Sequence, residues 1–301
     1  MVTVKYPAPF TSVLVTLSKP ILCIGLCAIL SSTALNGQEE SESLENIVAQ
    51  LPAEMAANEV DPLTVEKIIP DITAVKMNFK LGWGIFTVAK STMEINPIKY
   101  NERDAIQISA MTSTNSFADA IYRVRNHAIS TVSADVSESF EYSAKQEEGD
   151  RIRDTVVYFN TEEKTARYVN NKNGENRAPI DILPGTFDPV GLSFFIRCLD
   201  IKVGDELVIP TSTGKEFFYT IVRVKKKVKR KFAIGRYEAF VLEPDIKDVG
   251  GVFKKSPNGR VRIFLSADDQ KLPLRMESQV TVGNFWAELS EVVKQTETDG
   301  T

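Results

Sequence analysis

One histidine in 301 residues, His127, is the sharpest shortage in this chain. A histidine-based catalytic triad has no other residue to use, and a metal site built from several histidines is excluded. Cysteine is nearly as scarce: Cys23 and Cys27 lie in an apolar stretch near the start, so Cys198 stands alone after them and no intrachain disulfide is expected downstream. There is no Cys-x-x-Cys pair, no His-Glu-x-x-His and no phosphate loop with its lysine. Gly82-Trp83-Gly84 lacks the third glycine of a dinucleotide loop and runs into strand-like residues. A basic excess is also missing, since the net charge is -4, which argues against a dedicated nucleic-acid binder. Apolar residues at 43% and charged residues at 25% exclude wholesale disorder.

What is present begins with Lys5 and Lys19, the apolar run 21–30 and Ser31-Ser32-Thr33-Ala34. The run falls short of the ~20 residues a spanning helix needs, and small residues at 32 and 34 fit signal-peptidase cleavage. Residues 1–34 therefore read as a secretory signal, which makes the protein an exported one of the periplasm or outer-membrane surface. Neither leader cysteine follows a lipidation pattern. Residues 35–73, acidic at first and then carrying Pro52, Pro62 and Pro70, read as a linker with a short helical piece from Leu44.

From residue 75 the pattern has period two: Met77, Phe79 and Leu81 alternate with Lys76, Asn78 and Lys80. Extended runs follow at 85–95, 105–111, 127–133, 139–144, 155–159 and 165–169. Residues 116–124 put Phe117, Ile121 and Val124 at helical spacing, with Asn115 or Ser116 as the cap. A polar stretch at 169–181 separates two halves, about 74–169 and 183–293, of a single β-rich domain. The second half opens with an amphipathic helix entered through Asp188 and Pro189, with Leu192, Phe195, Ile196 and Leu199 on one face. Strands return at 206–210, 217–224, 233–242, 251–254, 260–265, 274–282 and 284–289, with an Asn-Gly hairpin at 257–259 and a turn at Asp268-Asp269. Residues 294–301 read as a disordered tail. Strands following strands predict a mainly β (α+β) fold: curved antiparallel sheet, half-barrel or sandwich-like, packed by a few short helices.

Candidate chemistry is thin. His127 at a strand start reads as structural, and Cys198, beside Phe194, Phe195 and Arg197, as a small buried hydrophobe. Asp135, Glu138 and Glu141, or Asp245 and Asp248, would serve a carboxylate hydrolase, but acidic loop residues are usually solvated. The run KKKVKRK, from Lys225 to Lys231, reads as a hairpin end kept from edge pairing by charge, with contact to anionic lipid headgroups as its functional alternative.

Phe79-x-x-x-Trp83-Gly84, Tyr122-x-Val124, Asp135, GTFDPVGLSFFIR, KVGDEL and the ending with its Asp-Asp turn and Leu272-Pro273-x-Arg275 together resemble the domain-of-unknown-function 3108 family of exported bacterial proteins. One departure is Val88-Ala89-Lys90-Ser91, where a glycine is expected. The resemblance implies an envelope protein built on extended antiparallel sheet, with no catalytic residues to carry over. Phe187, Asp188, Pro189, Arg197, Gly204, Asp205, Pro273 and Arg275 are its structural motif residues. Fold-level analogy to lipoprotein carriers adds an apolar sheet-helix cleft, lined by Trp83, Phe117, Tyr122, Phe194 and Phe195, for a lipid-like ligand or envelope component. The sequence thus reads as a non-enzymatic binding or carrier module without cofactor, metal or nucleic-acid partner. The alternatives are an envelope interaction protein with a fully packed core and a carboxylate hydrolase of envelope polymers.

Overall fold

Alternating side chains build one continuous antiparallel sheet. The computed structural model describes residues 44–49, 57–71, 75–245, 259–280 and 283–294. The leader, the strand expected at 251–254, Pro257-Asn258 and the tail beyond Lys294 lie outside the described residues.

Fifteen strands run β1 (Val75–Trp83), β2 (Phe86–Tyr100), β3 (Arg103–Thr114), β4 (Val124–Ser133), β5 (Ser139–Glu148), β6 (Arg151–Asn160), β7 (Thr165–Asn170), β8 (Glu175–Asn176), β9 (Ile180–Asp181), β10 (Glu206–Ser212), β11 (Phe217–Phe232), β12 (Gly235–Pro244), β13 (Arg260–Ser266), β14 (Pro273–Val280) and β15 (Gly283–Lys294). Three short helices accompany them among the described residues: α1 (Leu44–Ala49), α2 (Ser116–Asp119) and α3 (Pro189–Arg197).

The spatial order is β10 through β15, then β1 through β8, with β9 also on β7. Nearly every neighbour is a sequence neighbour, as hairpins require. Besides the short β7–β9 pairing, the exception is β1 with β15, paired from Val75 opposite Lys294 to Trp83 opposite Phe285. The sheet's two ends therefore come from mid-sequence, and the polar stretch at 169–181 is where one of them lies.

Those ends curl toward each other without closing into a barrel. The Thr186–Phe187 peptides link end strand β10 to β5: Ser139 N–H donates to Thr186 O, Phe187 N–H to Pro210 O and Ser212 N–H to Phe187 O. Further along the same edge of β10, Val60 N–H donates to Val208 O and Val208 N–H to Asn58 O. Part of the expected linker is thus integral to the fold, and it covers an edge that would otherwise template aggregation.

α3 lies inside the curl, against β4 and β10. The sequence predicts one apolar face, but every residue of α3 except Ser193 is buried. The correction follows from the surroundings, because a sheet that wraps a helix leaves it no solvent side. Phe187, Leu192, Phe194 and Phe195 are fully enclosed, and the Phe187 and Phe195 rings stack at 4.7 Å. Each such side chain contributes about 1.5–3 kcal/mol by leaving water.

Asp188 caps this helix from a site with no solvent exposure. One carboxylate oxygen accepts the Val190 and Gly191 N–H groups at 2.8 and 3.1 Å. The other accepts the Ser130 and Ser139 hydroxyls, both at 2.6 Å. A methyl group at Gly191 would press on Val132, Ser139 and this carboxylate at 2.8–2.9 Å, so only glycine fits. At the helix's other end the buried Arg197 Nε donates to Lys271 O at 2.8 Å, fixing the β13–β14 turn. Burial brings its pKa down to about 10.

The remaining motif residues have structural places. Gly204 N–H donates to Val224 O, Asp205 accepts from Lys202 N–H at 2.6 Å, and Pro273 enters β14 beside a bulge. Two elements differ from expectation. α2 is a single turn, capped by Asn115 as predicted, because the chain must enter β4 at Val124. β11 runs on past the strand end expected at 224 and through Lys225–Lys231, so the run lies at the turn end of the β11–β12 hairpin as expected but is paired in the ladder opposite β12, and the tip lies beyond Phe232. That tip folds back on the sheet's outer face: Phe232 meets Phe264 edge-on at 5.8 Å and Ala233 N–H donates to Glu288 at 3.0 Å.

Removing the Asp188 carboxylate strips the cap and leaves two serine hydroxyls without their acceptor. Asp188→Ala is expected to cost about 3 kcal/mol in urea unfolding, whereas Asp188→Asn, whose amide can cap and donate, costs about 1 kcal/mol. Burial raises the Asp188 pKa against the pull of its four donors. Its contribution to stability is therefore complete below the unfolded value of about 3.9 and declines as pH rises through the raised folded value. Across that window Asp188→Asn, which does not titrate, gains on the wild type.

Candidate functional site

The five residues expected to line one apolar cleft are dispersed. Phe194 and Phe195 are core residues of α3. Trp83 lies at the rim of β1, stacked on Phe285 at 6.3 Å. Tyr122 is half-buried beside Gly149. Phe117 on α2 is 61% exposed, with its ring 6.4 Å from the exposed Phe86. The space where a carrier would hold an acyl chain is occupied by the protein's own side chains.

The reactive residue types are tied into structure. Cys198 is buried at the end of α3, and burial pushes its thiol up to about 12. His127 Nε2 and Ser109 Oγ are 2.9 Å apart, the spacing of a nucleophile and its base. Among the described residues, however, no carboxylate bonds the other ring nitrogen, and both residues sit mid-strand, where the backbone N–H groups serve the ladder rather than an oxyanion. Of the acidic candidates, Asp135 is 65% exposed at its side chain and accepts from Ser137 at 2.7 Å. Burial pushes the Glu138 carboxyl up, with Asp135 adding to it. Glu141 accepts from Tyr100 at 3.0 Å. Among the described residues no three His, Cys, Asp or Glu side chains gather as metal ligands.

Among the described residues, the outer face carries two concavities with well-defined borders. One, of about 630 Å³, spans β2 to β6 and is bordered by Lys90, Met111, Arg125, His127, Lys145 and Asp154. The second, of about 460 Å³, lies over β13–β15 against the β1–β2 turn. Alternation in Arg260-Val261-Arg262 sends both arginines outward. Arg275 joins them from β14, and its guanidinium lies 5.1 Å from the Trp286 ring.

This second wall is preorganised. Trp286 lies flat across Gly82 on the neighbouring strand, where any β-carbon would fall within the indole, and its Nε1–H donates to Gly84 O at 2.9 Å. Arg275 donates to Glu288 at 2.5 Å and to Glu277 at 2.8 Å. Arg230, near the end of β11, adds contacts to Glu277 at 3.2 Å. Burial works against the Glu277 charge, but Arg275 and Arg230 outweigh it and hold the carboxyl below its usual range. Ile85, 90% exposed, forms the lip.

A family model described as a protein of unknown function, DUF3108, matches residues 78–290. The chain belongs to the DUF3108 family. No curated protein matches it. Among solved structures this DUF3108 chain is similar to a beta-barrel-like protein of domain of unknown function DUF1849 from Brucella abortus, with 10% identity and a TM-score of 0.48 over 77% of this chain and 100% of that one.

Of the DUF3108 motif residues, Gly84 and Arg275 border the second cavity, whereas Phe187, Asp188, Pro189 and Arg197 hold the interior. Sequence reasoning missed Arg260, Arg262 and Trp286. Their signal was the alternation within the last strands, which places them on the face opposite Val261 and Ala287.

Two measurements check this arrangement. Gly82→Ala is expected to displace Trp286, shifting the indole emission and costing about 1–3 kcal/mol as an overpacked site. Cys198 in the folded protein is expected to resist Ellman's reagent at pH 8 and to react at once in denaturant.

Proposed function

We propose that this DUF3108 chain is a non-catalytic, exported binding module that engages a component of the bacterial envelope through the outer face of its sheet. The observation that carries this reading is the buried state of α3, with Phe187, Leu192, Phe194 and Phe195 filling the concavity. Export is supported by the leader pattern, and the lack of catalysis by the stranded Ser109–His127 pair and the buried thiol. Lys225, Lys226, Lys229 and Lys231 on β11 are exposed and have no ion-pair partner among the described residues. They give the surface a positive margin suited to an anionic partner, each worth about 1 kcal/mol near a charged lipid surface.

The reading is tested with protein recovered from the periplasmic fraction of its host. Native mass spectrometry is expected to give the mass of the processed chain alone, and organic extraction to release no stoichiometric lipid. An acyl ligand at one copy per chain, or absence of the protein from that fraction, overturns it.

A further inference from the structure

We propose that the 460 Å³ cavity over β13–β15 binds an anionic saccharide, a sugar ring bearing a phosphate or carboxylate. The volume lies within the ~300–1,000 Å³ of small-molecule sites. Its wall carries three guanidinium groups against one lining carboxylate, Glu277, which Arg275 and Arg230 already neutralise. Arg262 leans on Glu243 at 3.4 Å. Arg260 is exposed, borders the cavity and has no carboxylate partner among the described residues. A guanidinium with its fork unspent is suited to a bidentate contact with phosphate or carboxylate.

The other walls specify what the anion is attached to. Trp286 contributes a flat apolar surface held in place by Gly82 and the Gly84 carbonyl. Gln279 and Asn284 are exposed amides at the border, each able to donate and accept. An indole, two amides and a guanidinium fork match a ring with apolar faces, hydroxyls at its edge and one anionic substituent. A bare anion leaves the indole and amides unused, and an acyl chain leaves the arginines unpaired.

The proposal rests on the outer-face reading of function, but the two fail separately: a lipid inside the curl defeats that reading, whereas the following titrations address only this cavity. N-acetylglucosamine 1-phosphate is titrated calorimetrically into the full chain at low ionic strength, beside N-acetylglucosamine, inorganic phosphate and phosphatidylglycerol vesicles. One-to-one binding of the sugar phosphate is expected, with each fragment at least about tenfold weaker. Arg260→Gln, which removes no ion pair among the described residues, is expected to weaken it about tenfold, equivalent to about 1.4 kcal/mol. Arg236→Gln, an exposed arginine that does not border the cavity, is expected to bind as the wild type does. No binding of the sugar phosphate, equal binding of inorganic phosphate, binding to vesicles alone, or equal loss in both variants each overturns the assignment.

Discussion

The fold depends on a carboxylate placed where no solvent reaches it. Asp188 sits between the sheet and the helix inside it and binds three elements at once: the first amides of α3, Ser130 on β4 and Ser139 on β5. Taking a carboxylate out of water costs several kcal/mol unless its lone pairs are met. Here four donors, two from backbone and two from hydroxyls, offset part of that cost, and burial still outweighs them and keeps the carboxyl raised. The adjacent Phe187 peptide then hydrogen-bonds β10. One Phe-Asp-Pro step thereby caps a helix, seats it in the core and ties end strand β10 to β4 and β5.

That arrangement explains how the sheet can stay open. Closure would need β10 to pair with β7 or β8 along its length, but these strands differ greatly from a matched pair: β8 has only two residues. The gap between these ends is bridged by side chains instead, including Lys215, whose ammonium lies 4.1 Å from the Tyr168 ring. Pairing of β1 with β15, more than two hundred residues apart in sequence, completes the sheet elsewhere. Contacts of such separation repay their loop-closure entropy only once much of the meander exists, so this join belongs late in folding.

Much of this was legible locally. Met77, Phe79 and Leu81 alternate in sequence and are buried in turn, and Asn115 and Asp188 cap the helices their residue types suggest. What escaped was set by distant neighbours. Val190 and Phe194 lie off the apolar face of α3, and nothing near them in sequence says a sheet will cover them. Arg197 is a charged residue at a helix end, yet it is buried because the Gln270 and Lys271 carbonyls arrive from the β13–β14 turn. The lysines of β11 mask its alternation, and strand length there is imposed by pairing with β12. The outer cavity draws on four separate segments, so no window of sequence contains it.

Charge shows the same gap between composition and place. A chain with net charge -4 is a poor general partner for anions, yet Arg260, Arg262 and Arg275 converge on one wall while the exposed lysines of β11 lie in the adjoining hairpin. At physiological salt, charges act over about 8 Å, so the acidic residues elsewhere on the sheet scarcely weaken a contact made in that cavity. What a ligand meets is the local excess, arranged by strand register. Because that register is fixed by the inward side chains, the packed interior that leaves no room for a guest also positions the groups on the outside.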